Sequence, residues 1–363
     1  MRSIDELRML QALPLELKVA KTKLRIREWV NEFGVDGVYV AFSGGKDSTV
    51  LLHIVRQLYP DVEAVFVNTG LEYPEIQRFV KTFDNVTILR PKMRFDEVIK
   101  NYGYPIIGKN QAETVWQARN AIERGVYAQR LKRLGISTEQ ASGMGLKLPP
   151  QEMLDRYEKS TNGSKFMMEK YAPLLNTDFK ISALCCNVMK KAPSHEYARK
   201  TGKNVILATM ASESMSRESA WLKQGCNAFG SHYPSSQPMS FWTEQDVLQY
   251  IKQNNLPIAS VYGDIVYAEN PDQIRLLDQG ECLKTTGCSR TGCIFCGFGC
   301  HLEKEPSRFQ KLKQTHSRQY EYCIGGGEFN EDGIWQPNKQ GLGMGYVFDQ
   351  LNKIYGEDFI KYK

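Results

Sequence analysis

The sequence predicts an α/β protein built on a parallel β-sheet with helices on both faces. Short runs of β-branched and aromatic residues alternate with segments in which apolar residues recur at helical spacing. This alternation is typical of βαβ units, whose strands are parallel. In addition, a glycine-rich turn joins the first strand directly to a helix, as it does in nucleotide-binding sheets.

The predicted elements follow one another in a regular order up to about residue 91. An amphipathic helix is predicted over 15–33, followed by a strand over 38–42, a helix over 48–58, a strand over 63–68, a helix over 74–83 and a strand over 86–91. A further strand is predicted over 204–210, and Thr243 is expected to cap the helix that runs through 242–250. Because ligands of parallel sheets bind beyond the carboxyl ends of the strands, we expect the site at that edge.

The changes of pattern divide the chain into four parts. We expect an N-terminal helical segment over 1–35 and a nucleotide-binding α/β domain made of 36–104 and 181–270. Between these two stretches, 105–180 is polar and helix-rich, which predicts a helical insertion. The remainder, 271–363, begins with Gly- and Cys-rich text of little periodicity, so we expect a small Cys-rich C-terminal unit that binds metal.

Composition argues against a membrane protein and against a disulfide framework. The N-terminal residues carry scattered charges, and no stretch approaches the roughly 18 apolar residues of a spanning helix. We therefore expect a soluble, cytoplasmic protein without a membrane partner. Five of the nine cysteines lie between Cys282 and Cys300, a distribution that indicates metal binding or catalysis. The net charge of +6 is compatible with a polyanionic partner but does not require one.

The segment SGGKDS forms the turn between the first strand and its helix. Gly44 and Gly45 allow the backbone to bend sharply and to bring its N–H groups close to an anion, and the following helix points its positive end at the same place. The segment lacks the earlier glycine of a Walker A loop, and Lys46 is followed by Asp47 instead of Ser or Thr. We expect Lys46 and Asp47 to lie on an exposed loop at the sheet edge.

The hexapeptide resembles the loop of the N-type ATP pyrophosphatases, which cleave ATP between its α and β phosphates. Three further stretches, VNTGLEYPE, ATMASESMSRESA and SFWTEQDVLQYIKQNNLP, follow in the same order as in the phosphoadenosine phosphosulfate (PAPS) reductase family, which they also resemble. The resemblance implies an adenine nucleotide alpha hydrolase-like, Rossmann-like fold. It covers about 36–100 and 181–300, and is silent on the helical insertion and the tail.

The resemblance implies roles for individual residues. Lys46 and Asp47 would act in catalysis, Lys46 by stabilising the leaving pyrophosphate and Asp47 by positioning Mg²⁺. One position departs from the family, since Met210 stands where an Arg is usual, three residues before Glu213. The nucleotide would be bound by Ser43, Gly44, Gly45, Lys46, Asp47, Ser48, Thr69, Glu72, Glu213, Ser214 and Arg217.

The cysteines predict a metal centre. Cys288, Cys293 and Cys296 have the C-x4-C-x2-C spacing of ferredoxin-type ligation, although a zinc site within 288–300 is an alternative. Adjacent Cys185 and Cys186 resemble the Cys-Cys pair of the iron-sulfur sulfonucleotide reductases, and this resemblance implies Cys186 as the fourth ligand of a 4Fe-4S cluster. The alternative ligands are Cys185, Cys282 and Cys300.

These expectations favour an ATP-dependent sulfur transferase that adenylates an acceptor and uses ATP, Mg²⁺ and the cluster. A sulfur donor protein or a persulfide would be its partner, and a nucleic acid, contacted by the basic 119–133 stretch, is one candidate acceptor. The first alternative is an adenylyl-sulfate or PAPS reductase, but the Glu-Cys-Gly-Leu/Ile-His nucleophile motif of those enzymes does not occur in these residues, the nearest text being ECLK. The second is a zinc-ribbon nucleic-acid-binding protein with an inert nucleotide fold.

Overall fold

The computed structural model describes residues 2–161, 167–269 and 281–363. The portions of the expected insertion at 162–166 and of the expected Cys-rich unit at 271–280 lie outside the described residues. The chain divides into two compact units: unit 1 comprises Met1–Pro91 and Ala192–Cys293, and unit 2 comprises Lys92–Lys191 and Ile294–Lys363.

The helices and strands are numbered along the chain. The helices are α1 (Ile4–Gln11), α2 (Leu15–Phe33), α3 (Lys46–Leu58), α4 (Pro74–Val80), α5 (Phe95–Tyr102), α6 (Lys109–Glu123), α7 (Gln129–Arg133), α8 (Thr138–Gly143), α9 (Gln151–Thr161), α10 (Ala192–Thr201), α11 (Met215–Gln224), α12 (Glu244–Gln253), α13 (Arg308–Thr315), α14 (Ser317–Ile324) and α15 (Met344–Tyr355). The strands are β1 (Val38–Ala41), β2 (Ala64–Val67), β3 (Val86–Leu89), β4 (Ile106–Ile107), β5 (Asn204–Ile206), β6 (Asn227–Ala228), β7 (Ser235–Ser236), β8 (Ile265–Glu269), β9 (Glu281–Thr285), β10 (Gly297–Phe298), β11 (Glu328–Phe329) and β12 (Trp335–Gln336). Single 3₁₀ turns include Ala211–Glu213 and Ser260–Tyr262.

Unit 1 is built on a sheet with the strand order β3-β2-β1-β5-β7-β6. Its pairs are parallel except β6 with β7, and Val40 of β1 faces Ala64 of β2 while Val38 faces Asn204 of β5. The parallel α/β fold expected from the sequence is therefore confirmed. The carboxyl ends of β1, β2 and β5 lie at one edge, because parallel neighbours end on the same side.

The core of unit 1 forms where the apolar faces of helices cover this sheet. Trp29 on α2 and Leu51 on α3 are fully buried, as are the β1 side chains Val38 and Val40. The predicted helix over 15–33 has the same bounds as α2. By contrast, β5 ends at Ile206, four residues before the predicted end of its strand, and the chain enters the Ala211–Glu213 turn soon afterwards.

Unit 2 combines the helical segment that precedes α10 with the tail of the chain. Residues 294–363, expected within a metal-held unit, contribute buried aromatic side chains to a hydrophobic core: Phe309 and Phe348 are fully buried, with ring centroids 5.0 Å apart. The Tyr104 hydroxyl donates to the Leu342 carbonyl at 2.8 Å, which joins the two stretches of this unit.

The basic stretch 119–133 has structural partners within unit 2. Arg119 donates to the carbonyl oxygens of Leu174, Thr177 and Phe179 at 2.6–2.9 Å, and burial lowers the pKa of Arg119 to about 10. Lys132 forms an ion pair of 3.1 Å with Glu158. Arg119 thus holds the backbone of its own unit, and a nucleic-acid contact by the 119–133 stretch stays a prediction. Among the described helices, none is long and apolar enough to cross a membrane.

Candidate functional site

The turn Ser43–Ser48 lies at the carboxyl end of β1 and leads into α3. Gly44 has a φ of 71°, and a Cβ atom there would meet Val80 Cγ2 at 2.7 Å and Ile76 Cγ2 at 2.9 Å, so a larger residue is excluded. The Ser48 hydroxyl donates to the Gly45 carbonyl at 2.9 Å and accepts from the Ser43 amide at 3.2 Å. These bonds fix the shape of the turn that leads into α3.

Lys46 is buried, with 3% of its surface exposed, which corrects the expectation of an exposed loop. Its ammonium donates to the Ser289 carbonyl at 2.6 Å and forms an ion pair of 2.8 Å with Glu244 at the start of α12. Its backbone N–H donates to the Tyr262 hydroxyl at 3.2 Å. The reason for the burial is tertiary: three segments distant in sequence cover the start of α3.

Asp47 carries the polar atom of the turn that is least satisfied. Its Oδ1 atom is buried and has no hydrogen-bond partner among the described residues. Burial raises the pKa of Asp47, and the nearby Lys46 ammonium opposes that change. A buried carboxylate oxygen without a donor is suited to a cation, which supplies the missing positive charge.

The second predicted loop lies after β5. Glu213 accepts from the Met210 amide at 3.0 Å, forms an ion pair with Arg217 and a looser one of 3.5 Å with Arg290. Ser214 is the N-cap of α11, since its hydroxyl accepts from the Arg217 amide at 3.3 Å. The expected phosphate-facing residues are therefore brought together, with Glu213 as the acceptor at their centre.

A cavity of about 150 Å³ lies between the two loops of unit 1. It contains two cationic side chains and three carboxylates at close range, an arrangement that suits a polyanion bound together with a metal cation. The side chains that line it are Lys46, Asp47, Met210, Ser212, Glu213, Glu244 and Arg290.

Thr69 and Glu72, also predicted to bind the nucleotide, bond to each other. The Thr69 hydroxyl donates to Glu72 Oε1 at 2.7 Å, and the Thr69 amide donates to Oε2 at 3.1 Å. Both residues are buried and neither lines the cavity. In this structure they shape the turn after β2, and their contact with a nucleotide remains a prediction.

The four predicted cluster ligands fall in both units. Cys288 and Cys293 belong to unit 1, whereas Cys186 and Cys296 belong to unit 2. A hydrogen bond from the Cys185 side chain, together with the Lys109 ammonium, lowers the pKa of Cys186 to about 5, and burial raises the pKa of Cys296. A thiolate at Cys186 is the form that ligates metals.

Within the described ranges, no group of three or more His, Cys, Asp or Glu side chains is arranged to hold an ion. The alternative ligand Cys300 is a buried thiol that donates to the Gly297 carbonyl at 2.9 Å, and burial raises its pKa to about 12. The 4Fe-4S cluster, with zinc as the alternative, stays a prediction from the sequence.

Sequence reasoning missed five residues that contact or line this site: Ser212, Glu244, Tyr262, Ser289 and Arg290. The sequence predicts only the capped helix on which Glu244 lies, and Thr243 does cap α12 by accepting from the Asp246 amide at 3.4 Å. Ser289 and Arg290 lie between two of the predicted ligands. The sequence does show a basic residue, Arg290, between Cys288 and Cys293, which indicates polar surroundings. It does not show which part of the fold this side chain faces.

The parallel sheet, the glycine turn and the cavity at the carboxyl edge of the sheet define an α/β protein of the adenine nucleotide alpha hydrolase-like type. The model of the phosphoadenosine phosphosulfate reductase domain matches residues 37–134 and 138–297. The chain therefore belongs to the PAPS reductase family. This family is enzymatic, and its members include sulfonucleotide reductases.

Individual relatives are similar over parts of the chain. An uncharacterized protein of Methanocaldococcus jannaschii is 41% identical over 73 residues, which are 19% of this chain and 15% of the relative. An adenosine 5'-phosphosulfate reductase of Bacillus cereus is 24% identical over 166 residues, 44% of this chain and 67% of the relative. The similarity spans less than a fifth of the length of the Methanocaldococcus jannaschii relative and of a second uncharacterized protein of the same organism.

A solved structure is also similar. It is the PAPS reductase from Candida auris in a phosphate complex, with a TM-score of 0.35 and 14% identity over 72% of this chain and 91% of that chain. Because the TM-score is below 0.5, the assignment to the family rests on the domain match.

Proposed function

We propose that this protein is an ATP-dependent sulfur transferase that first adenylates an acceptor and then exchanges AMP for sulfur. The observation that carries the proposal is the buried Lys46 ammonium beside a carboxylate oxygen of Asp47 that lacks a partner, both facing one cavity. A pyrophosphate group needs a fixed cation, and its magnesium ion needs a free carboxylate. The two requirements meet in two consecutive residues.

The residues of the chain would act in adenylation as follows. The turn Ser43–Ser48 would hold the β and γ phosphates, and Lys46 would stabilise the negative charge that develops on the pyrophosphate as the bond between the α and β phosphates breaks. Glu244, whose side chain is 48% exposed, would release Lys46 as the anion arrives. Mg²⁺, when bound at Asp47, would supply further charge neutralisation.

In the second half of the reaction, a sulfur nucleophile from a donor protein or a persulfide would attack the carbon that bears the adenylated oxygen. A C–S bond would form, the C–O bond would break, and AMP would leave together with that oxygen. Where the donor is a persulfide, a second thiol of the donor would then cleave the S–S bond and leave as a disulfide. We assign no step to a 4Fe-4S cluster, which stays a prediction from the sequence. Involvement of Cys186, Cys288, Cys293 and Cys296 is tested separately by mutation. The acceptor is proposed as a class, an oxygen of a carbonyl or amide that adenylation activates.

Reduction of a sulfonucleotide is the second candidate, and the specific observation in its favour is the family itself. The matched domain and the Bacillus cereus relative carry the names of reductases. A reductase also needs a thiolate that can reach the sulfate. Cys323, the last cysteine in this sequence, is fully buried, and burial raises its pKa well above that of a free thiol. This state does not suit an attacking thiolate.

The two candidates differ in their products. The protein is incubated with ATP and Mg²⁺, and separately with adenosine 5'-phosphosulfate and a dithiol, and the products are separated by ion-exchange chromatography. Because this incubation contains no other acceptor, water would take its place, and slow release of AMP together with pyrophosphate supports the proposal. ADP with phosphate would contradict it, and sulfite without pyrophosphate would favour the reductase.

The matched control is Lys81→Met, because Lys81 is an exposed lysine of unit 1. Its products should be those of the unmodified protein. The variant Lys46→Met should lose pyrophosphate release, which links the reaction to this site and excludes a contaminating pyrophosphatase.

A further inference from the structure

The loop between Cys288 and Cys293, here called the cysteine loop, supplies one cationic side chain to the cavity. That side chain is Arg290, which lines the cavity together with Lys46 and Asp47. All these residues belong to unit 1. The reach of Arg290 into the cavity places a basic group beside Met210.

The backbone on both sides of Arg290 is held in place. The Cys288 amide donates to the Val261 carbonyl at 2.9 Å, and the Ser289 carbonyl accepts from the Lys46 ammonium at 2.6 Å. Beyond Arg290, the hydroxyl groups of Thr291 and Tyr262 are hydrogen-bonded at 2.6 Å. The same Tyr262 hydroxyl accepts from the Lys46 amide. Arg290 is therefore anchored directly against the turn that is proposed to hold pyrophosphate.

The side chain of Arg290, in contrast, is loosely held. It is 63% exposed, and its ion pair with Glu213 has a length of 3.5 Å. Lys46 differs, since its ammonium is already engaged at 2.6 and 2.8 Å. A guanidinium has five donors in a planar fork, so most of its hydrogen-bonding capacity is available to an incoming anion.

Electrostatics supports an anion at this place. Arg290 and Arg217 both approach Glu213. The pKa of Arg217 is lowered, mainly by its own burial and next by the positive charge of Arg290. Two cations that repel each other and share one carboxylate are stabilised when a dianion binds between them.

We propose that Arg290 of the cysteine loop binds the pyrophosphate portion of the nucleotide and makes the site selective for ATP over AMP. The inference rests on the proposed function, because it deepens the recognition of the same substrate. It assigns a phosphate-binding role to a residue of the peptide that also carries two predicted metal ligands.

The experiment compares anion binding by isothermal titration calorimetry in about 0.15 M salt, which screens long-range attraction. Inorganic pyrophosphate, ATP and AMP, each with Mg²⁺, are titrated into the unmodified protein and into Arg290→Ala, Arg290→Lys and Arg78→Ala. Arg78 is the matched control, since it is a 71% exposed arginine of unit 1 with one ion pair, to Glu75.

Arg290→Ala should weaken the binding of pyrophosphate and of ATP by about 10-fold to 100-fold, the loss expected for hydrogen bonds to a charged group. The dissociation constant of AMP should change less than 3-fold. The affinity of Arg290→Lys for pyrophosphate should lie between those of Arg290→Ala and the unmodified protein, because lysine keeps the charge but not the planar fork of donors. Arg78→Ala should bind as the unmodified protein does.

The proposal is overturned if the affinity of Arg290→Ala for pyrophosphate is within 3-fold of that of the unmodified protein. It is also overturned if the substitution weakens AMP binding as much as ATP binding, or if the unmodified protein binds no pyrophosphate. Failure of the proposed function looks different. Pyrophosphate binding that depends on Arg290, in a protein that does not convert ATP to AMP, would leave this inference intact and reject the transferase.

Discussion

Replacement of Asp47 by Asn should stabilise the nucleotide-free protein and abolish its chemistry. Asp47 Oδ1 is buried without a partner among the described residues, so the folded protein carries a carboxylate that is poorly solvated. An amide of the same shape removes that charge. It also removes the ligand proposed for Mg²⁺, and the two effects therefore have opposite signs.

The size of the stabilisation by Asp47→Asn follows from the cost of leaving a buried acceptor unpaired, about 1–3 kcal/mol. Because the amide recovers only part of this cost, we expect a gain of about 1 kcal/mol in the free energy of unfolding. For a cooperative unit of 150–250 residues, such a gain raises the melting temperature by about 2–4 °C. Pyrophosphate release should fall by a factor of at least 100, as for the loss of a group that stabilises transition-state charge.

The stabilisation should depend on pH in a defined direction. Burial raises the pKa of Asp47 in the folded state above its unfolded value, so the folded protein binds the proton more tightly. The penalty is fully present above the folded pKa and is lost as the pH falls towards the unfolded value. The difference in melting temperature between Asp47→Asn and the unmodified protein should therefore be largest near neutral pH and shrink on acidification.

The assay is calorimetric melting of the nucleotide-free protein over this pH range, together with chromatography of the ATP products. Asp36→Asn is the control, because Asp36 is an exposed aspartate of unit 1 ahead of β1. A melting temperature of Asp47→Asn at or below that of the unmodified protein at neutral pH would refute the account of the buried charge. Retained pyrophosphate release would refute the role of Asp47 in chemistry.

Three further predictions concern the remaining parts of the molecule. Lys46→Met fills the buried space without a charge, so pyrophosphate release measured by chromatography should fall at least 100-fold, and release within 3-fold of the unmodified rate would remove Lys46 from the mechanism. Arg119→Ala leaves three backbone carbonyls of unit 2 without their donor, so urea denaturation should show a loss of roughly 3 kcal/mol; an unchanged midpoint would contradict the role of Arg119 as a backbone clamp. If the predicted cluster forms, anaerobically prepared protein should contain about four irons per chain and Cys186→Ser should contain almost none. Zinc that persists in this variant would instead indicate a site confined to 288–300.

The main sheet could be predicted because its information is local. The runs at 38–42, 63–68 and 86–91 are apolar and short, and the helical spacing between them leaves parallel pairing as the consistent arrangement. The antiparallel edge formed by Asn227–Ala228 and Ser235–Ser236 gave no such signal. Two-residue strands of small and polar residues have no periodicity, and their pairing is decided by the neighbours that the fold provides.

The candidate site could be predicted only in part, for a related reason. The loop Ser43–Ser48 follows from its own sequence, since two glycines between a strand and a helix specify the turn. The burial of Lys46 does not, because it depends on Glu244 and Ser289, which are about 200 residues away or more. The same holds for Arg290, whose position is set by bonds of the residues on both sides of it.

The bond between the Lys46 ammonium and the Ser289 carbonyl would link nucleotide binding to the binding of any ligand by the sulfurs of the cysteine loop. Ser289 lies one residue after Cys288, so anything that fixes the sulfurs of the cysteine loop also biases the position of the peptide that holds Lys46. Linkage is reciprocal: whatever factor a ligand of the sulfurs applies to nucleotide affinity, the nucleotide applies to that ligand. If these sulfurs hold a ligand, the affinity for ATP should depend on whether that ligand is bound, and protein prepared without it should show a dissociation constant for ATP changed by that same factor.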